Sequence, residues 1–311
     1  MRISFLSSWG ENSEQLLEAY RRQSPNRSGI WENLVGTADL NSADCIVFME
    51  GLPAGGIQSF RNDQVLIGLP REVLPAIKSY QQLNSKYCFT YQSAYHVSTW
   101  RIAREFNELA ELKWKPKQHA CSAVISRLYS TPGQISRVDF LHEFTSRFPN
   151  YIDVYGFGWN EEELGGSYRG VLGDRFAPAS RSEICKWNGL YPYQYSIACE
   201  NNHVNNYFTE KLIDCFLSWT IPIYYGCPNI TDFFPAESMI RINCLDPDAI
   251  DYVKEVIQRP ITKLQIDALE EARRLVLYKY NVWPSIAEIA KFGRLSWAPN
   301  SPGANLALGK N

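Results

Sequence analysis

The 311-residue chain carries 31 basic and 33 acidic residues, a formal charge of -2, with both signs spread along its length. That balance gives no positive field of the kind a nucleic-acid polyanion requires, which excludes nucleic acid as an expected partner. A 45% apolar share fits two ordinary domains with proper cores, and the 14% aromatic content suits sugar-stacking surfaces but goes mostly to filling those cores.

In chain order, the first residues form an apolar run too short for a signal h-region and without a small-residue cleavage site, and they read as a strand from Arg2 to Ser8. A helix over Ser13 to Arg22 follows. Strands at Asp44 to Met49 and Gln64 to Leu69 flank a Gly/Pro-bearing turn at Gly51 to Gly56. After a helical run, the basic, proline-broken stretch 113–117 marks a boundary and divides the chain into domains 1–116 and 117–311. The second half restarts with a strand at His119 to Ser126, a helix at Ser136 to Phe148 and a strand at Tyr151 to Tyr155. A Gly-rich loop covers 156–187, with a short helix near Ser180 to Trp187. Strand Tyr195 to Cys199, helix Thr209 to Trp219 and strand Ile221 to Tyr225 come next. Helices near Ala249 to Gln258 and Thr262 to Lys279 precede a loosely ordered tail after Trp297. The alternation is that of α/β layering with largely parallel sheets.

No apolar stretch reaches bilayer-spanning length, so no transmembrane anchor is expected. The eight cysteines (45, 88, 121, 185, 199, 215, 227, 244) contain no Cys-x-x-Cys pair and read as reduced, buried thiols of a cytoplasmic protein. The four histidines show no metal-ligand spacing. Asp246-Pro247-Asp248 has the D-x-D spacing of metal-dependent transferases but reads better as the start of the helix at Ala249, so no metal is expected.

In open α/β sheets ligands gather beyond the carboxyl ends of the strands, and here those ends are polar. Strand Tyr195 to Cys199 runs into Glu200-Asn201-Asn202, and Thr209 is placed to cap a helix beginning Glu210-Lys211. A lysine in a first helical turn opposes the helix dipole unless an anion is nearby, and Arg137, expected in the first turn of its own helix, is placed the same way. Together they suggest a diphosphate clamp. The alternative is ordinary ion pairing of Lys211 with Glu210 or Glu200, and of Arg137 with Asp139.

Residues 193–235 resemble the donor-binding signature of the α1,3/α1,4-fucosyltransferase family. Four pieces occur in order: Glu-Asn after a strand, Tyr-x-Thr-Glu-Lys at a helix start, Ile-Pro-Ile-Tyr-x-Gly, and Phe-x-Pro. A weaker extension runs from Cys121 through Arg137 to Gly156. The resemblance implies a GT-B fold, with two Rossmann-like domains facing across a cleft: acceptor-binding in 1–116, nucleotide-sugar-binding in 117–311. It implies that Arg137 and Lys211 hold the diphosphate of GDP-fucose, that Glu210 meets ribose or sugar hydroxyls, and that Asn201 and Tyr207 line the donor pocket. Gln194 stands where the family commonly has lysine, and Asn202 where it commonly has serine.

The implied reaction is an inverting displacement onto a saccharide hydroxyl, with no cofactor beyond the GDP-fucose donor substrate. It requires a carboxylate base. Family position favours Glu72, with Glu50 as the competing candidate and Arg71 as a structural ion-pair partner. Two rival readings are an exostosin-like transferase using another nucleotide sugar, and a non-catalytic carbohydrate-binding protein retaining the fold.

Overall fold

The computed structural model describes residues 1–49, 51–53, 60–69, 88–90, 99–172 and 186–292, with 88–90 and 292 described by backbone alone. The chain divides into two compact units, each built on its own sheet. In the first, β1 (Arg2–Ser7) leads into α1 (Ser13–Arg21), followed by β2 (Ile30–Trp31), β3 (Leu34–Gly36), β4 (Cys45–Met49), β5 (Val65–Leu69) and β6 (Cys88–Thr90). The sheet order is β2-β3-β1-β4-β5-β6, parallel except for the β2–β3 pair. Every residue of β4, Cys-Ile-Val-Phe-Met, is buried, as a parallel strand covered on both faces must be. Helix α1 starts at a capping box between Asn12 and Gln15 and turns Leu16, Leu17 and Tyr20 to the core.

After α2 (Phe106–Glu111), the second unit contains β7 (His119–Val124), α3 (Pro132–Arg147), β8 (Asp153–Tyr155), α4 (Glu161–Leu164), β9 (Tyr193–Cys199), α5 (Glu210–Leu217), β10 (Ile221–Tyr225) and β11 (Ile240–Arg241). Helices α6 (Ala249–Val256) and α7 (Lys263–Leu275) complete it. Its sheet is wholly parallel, in the order β11-β10-β9-β7-β8. The chain leaves β7 outward in one direction through β8 and then returns to build β9, β10 and β11 on the other side. The switch point, where such sheets bind ligands, therefore lies between the carboxyl ends of β7 and β9.

Two expectations are corrected. Helix α3 begins at Pro132 rather than Ser136. Thr131 caps it by accepting from Gln134 N at 3.4 Å, while the Gln134 side chain accepts from Thr131 N at 3.2 Å. Arg137 is thus in the second turn, and the dipole argument made for it does not apply. The segment after α7 also departs from the expected 117–311 grouping. One π-helical turn, Val276–Tyr280, leads into α8 (Val282–Phe292), which groups with the first unit from Leu277 onward. Val282, Trp283, Ile286 and Ile289 join the core made by β1, β4, β5 and α1. The Trp283 indole donates to Tyr20 O at 2.8 Å, and the Asn281 amide to Gln23 O at 2.6 Å. An apolar stripe says that a helix buries a face; it does not say against which sheet.

Helix α5 is only two turns long and is held at both ends. Its Leu212, Ile213, Phe216 and Leu217 are buried, and it packs on β9 and β10. At its carboxyl end Arg273 donates to Phe216 O at 3.2 Å and to Leu217 O, and Lys117 donates to Ser218 O at 2.9 Å and Tyr191 O at 2.6 Å. Cations there satisfy carbonyls the helix leaves open and complement its dipole. No helix among the described residues is long and apolar enough to cross a membrane.

Candidate donor-binding site

Three chain segments meet at the carboxyl edge of the second sheet: the start of α3, the exit of β9 and the start of α5. Two glycines permit the approach. A Cβ on Gly133 would lie 2.4 Å from Asn201 O, and one on Gly226 would lie 2.4 Å from Glu200 Cγ. Thr131 Oγ1 also donates to Asn201 O at 3.2 Å, fixing the α3 cap to the β9 exit.

Arg137 is 3% exposed and reaches from α3 to that exit. Its Nη1 donates to Asn201 Oδ1 at 2.8 Å and to Cys199 O at 3.4 Å, while its buried Nε has no hydrogen-bond partner. Burial lowers the guanidinium pKa, and the neighbouring Cys199, Glu200, Glu210 and Tyr207 oppose that shift. The Arg137–Asp139 ion pair considered from sequence does not form. Asp139 accepts instead from the Tyr129 hydroxyl at 2.9 Å.

Lys211 follows Thr209, the cap of α5, whose side chain accepts from Lys211 N at 3.4 Å. The Lys211 ammonium lies 3.1 Å from Glu210 Oε1, 3.2 Å from Thr209 Oγ1 and 3.7 Å from Glu200 Oε2. The ion pairs raised as an alternative reading are therefore present for Lys211. Tyr207 is fully buried in the turn before the cap, where its N–H donates to Val204 O at 3.2 Å. The preceding Asn206 takes a left-handed φ of 64°. It is held there by a reciprocal pair with Asn229, Asn206 N to Asn229 Oδ1 and Asn229 Nδ2 to Asn206 Oδ1, both at 2.9 Å.

Glu200, read from sequence as part of the Glu-Asn piece after β9 and as an ion-pair partner, organises the site. It is 1% exposed, and its two oxygens accept from Thr209 N and Thr209 Oγ1, each at 2.6 Å. Burial pushes its carboxyl above the usual range, with Lys211 opposing. One turn deeper, Lys186 meets the fully buried Asp214 at 2.5 Å, and Asp214 also accepts from Arg101 N at 2.8 Å. Burial lifts the Asp214 carboxyl to about 6 against the pull of Lys186. Burial likewise works against the Lys186 charge, but Asp214 more than offsets it and the ammonium stays charged. A small hollow of about 10 Å³, room for about one water, lies at the switch point, lined by Val124, Ile125, Lys186, Ala198, Cys199 and Lys211. Two lysines, each paired with carboxylates, stand on its walls above an apolar floor.

Residues 114–259 match the family model for glycosyltransferase family 10 (fucosyltransferase), C-terminal part. This stretch is similar to the C-terminal part of family 10 fucosyltransferases. The matched stretch contains all five donor-side residues expected from sequence: Arg137, Asn201, Tyr207, Glu210 and Lys211. Among curated proteins, the chain is 35% identical over 92 residues to the α-(1,3)-fucosyltransferase FucT of Helicobacter pylori, covering 29% of this chain and 18% of that protein. It is 44% identical over 48 residues to an α-(1,4)-fucosyltransferase of Arabidopsis thaliana, covering 15% of this chain and 12% of that one. The matched segments thus span less than a fifth of either relative. An α-glucosyltransferase solved in complex with UDP superposes with a TM-score of 0.54 at 8% identity, over 90% of this chain and 96% of that one. At that identity the likeness is one of fold, and the fold is GT-B.

Outside the matched stretch, Glu50, Arg71 and Glu72 lie beyond the described residues. No group of three or more His, Cys, Asp or Glu side chains placed for a metal occurs among the described residues. Asp246 uses Oδ1 to accept from Asp248 N at 3.0 Å, closing the turn that opens α6.

Proposed function

We propose that this chain is an inverting glycosyltransferase that moves L-fucose from GDP-fucose to a hydroxyl of a saccharide acceptor. One observation carries the reading: the family 10 match covers the segment whose strand ends gather Arg137, Asn201, Glu210 and Lys211 at the switch point. The GDP diphosphate sits between Arg137 and Lys211, against the amino end of α5. These groups stabilise the charge that grows on the leaving group, in directions fixed before the donor arrives. Glu210 meets ribose or sugar hydroxyls, and Asn201 and Tyr207 border the donor pocket. Glu72 takes the proton from the attacking hydroxyl. Protein cations do the neutralising, so no divalent metal is needed. The reduced thiols fit a cytoplasmic setting.

Calorimetric titration with GDP and GDP-fucose in EDTA tests the donor reading, alongside a panel of UDP- and ADP-sugars and a transfer assay on saccharide acceptors. GDP-fucose should bind and be consumed without metal. Binding that appears only with magnesium or manganese would remove the clamp. A preference for another nucleotide sugar would reassign the donor, and nucleotide binding with neither transfer nor slow hydrolysis would make the chain a binding protein.

A further inference from the structure

We propose that Cys199 and Cys244 form an oxidisable dithiol, which a hydroperoxide converts to a disulfide tying the loop after β11 to the carboxyl end of β9. The two residues are 45 apart in sequence, yet their sulfurs lie 3.5 Å apart. Cys199 is the last residue of β9 and fully buried. Its strand end is pinned by Glu200 N donating to Tyr225 O at 2.8 Å, and by Arg137 donating to the Cys199 carbonyl at 3.4 Å. Cys244 is partly exposed on a short turn next to Leu245, itself 67% exposed. That turn is attached at one end by Ile242 N donating to Tyr224 O at 3.0 Å. A sulfur–sulfur bond of ~2.05 Å requires the sulfurs to close by roughly 1.5 Å from contact, and the surface turn is the side free to supply that movement.

The order of events follows from access. Cys45, Cys121, Cys215 and Cys227 are buried, and burial raises their thiols, to about 12 for Cys215 and about 11 for Cys227. Among the described cysteines Cys244 is the one not fully buried, so of these peroxide meets Cys244 first. The Cys244 thiolate attacks one peroxide oxygen and the other leaves as water, giving a sulfenic acid. Cys199 then attacks the Cys244 sulfur and expels a second water. In total, two thiols and one hydrogen peroxide give one disulfide and two waters. The hydrogen bond with Cys199, together with burial, keeps Cys244 protonated at neutral pH, so the reaction quickens as pH rises. The cross-link removes freedom from a 45-residue loop of the unfolded chain and so stabilises the second unit. It also fixes the strand end that carries an acceptor for Arg137.

The test treats the reduced full chain with hydrogen peroxide at pH 8.5, blocks free thiols with iodoacetamide after denaturation, and maps peptides without reduction. Mapping assigns the link by residue, which matters because Cys88 and Cys185 lie outside the described residues. A cross-linked peptide containing Cys199 and Cys244 is expected, with a melting temperature raised by several degrees. The rise should reverse with dithiothreitol and be absent in Cys244→Ser. Finding Cys244 at the sulfinic or sulfonic stage with Cys199 still alkylatable would overturn the proposal. So would a melting shift of the same size in Cys244→Ser. Neither readout uses nucleotide, so failure here leaves the transferase reading untouched.

Discussion

Arg137 and Lys211 reach the same strand edge by different routes, and the difference sets what each can contribute. Arg137 is fixed from behind by Asn201 and the Cys199 carbonyl and keeps an unpartnered buried Nε. Lys211 is shared between Glu210, Thr209 and Glu200. Arg137, Lys186 and Lys211 are matched by Glu200, Glu210 and Asp214, so the proposed diphosphate site must work through directed hydrogen bonds rather than through net charge. Lys211→Ala and Arg137→Ala should each weaken GDP binding by about 1.5 to 3 kcal/mol, the range for charge-assisted contacts, measured by calorimetry. Unchanged affinity in both would mean that the ion pairs around Lys211 are all these residues do. Glu72→Gln should keep GDP affinity and lose transfer by about 10² to 10⁴-fold, because a base touches the acceptor proton and not the nucleotide. If Glu50→Gln abolishes transfer and Glu72→Gln does not, Glu50 takes the role.

At the scale of elements, α5 shows how a short helix is made rigid enough to carry a binding residue. Glu200 and Thr209 hold its start; Lys117 and Arg273 hold its end. The end is costly in charge, since burial, with Arg273 nearby, lowers the Lys117 ammonium to about 7. Between about pH 7 and its unfolded value of 10.5, Lys117 binds fewer protons in the folded chain than in the unfolded one. Stability from this site is therefore lowest at and below pH 7 and recovers as pH rises through that window. Urea midpoints of wild type and Lys117→Met at pH 7 and pH 9.5 should diverge in favour of the wild type by about 1 to 3 kcal/mol at the higher pH. Comparing the two proteins cancels the opposite trend of the buried cysteines. A gap that does not change with pH would mean that Lys117 stays charged throughout.

At the scale of the whole molecule, the return of α8 makes the first unit depend on residues far along the chain. Val282, Trp283, Ile286 and Ile289 are all buried in its core. At about 1.5 to 3 kcal/mol for each large side chain, their loss is comparable to the entire stability of an ordinary domain. A chain ending at Val276 should expose residues 1–99 to limited proteolysis while 111–276 stays resistant. Protection of 1–99 equal to that of the full chain would show that α8 is dispensable.

The sequence alone determined the alternation of strands and helices and the two largely parallel sheets, and it singled out the polar strand ends, because periodicity, caps and the Glu-Asn and Tyr-x-Thr-Glu-Lys pieces are local patterns. It also identified Lys211 correctly at a helix start, since Thr209 caps α5 through neighbouring atoms. Tertiary structure decided what local patterns cannot carry. The short strands β2, β3, β6 and β11 have too few residues for a period to emerge, and they exist because neighbouring strands offer hydrogen bonds. Glu200 came to hold the Thr209 cap of α5 because β9 and α5 lie side by side, and Gly133 and Gly226 became necessary because two backbones approach where a Cβ would stand. Arg137 serves the strand edge from a second helical turn, and α8 belongs to the first sheet although it follows the second. Each of these depends on which surfaces meet, and that is fixed by packing across long sequence separations.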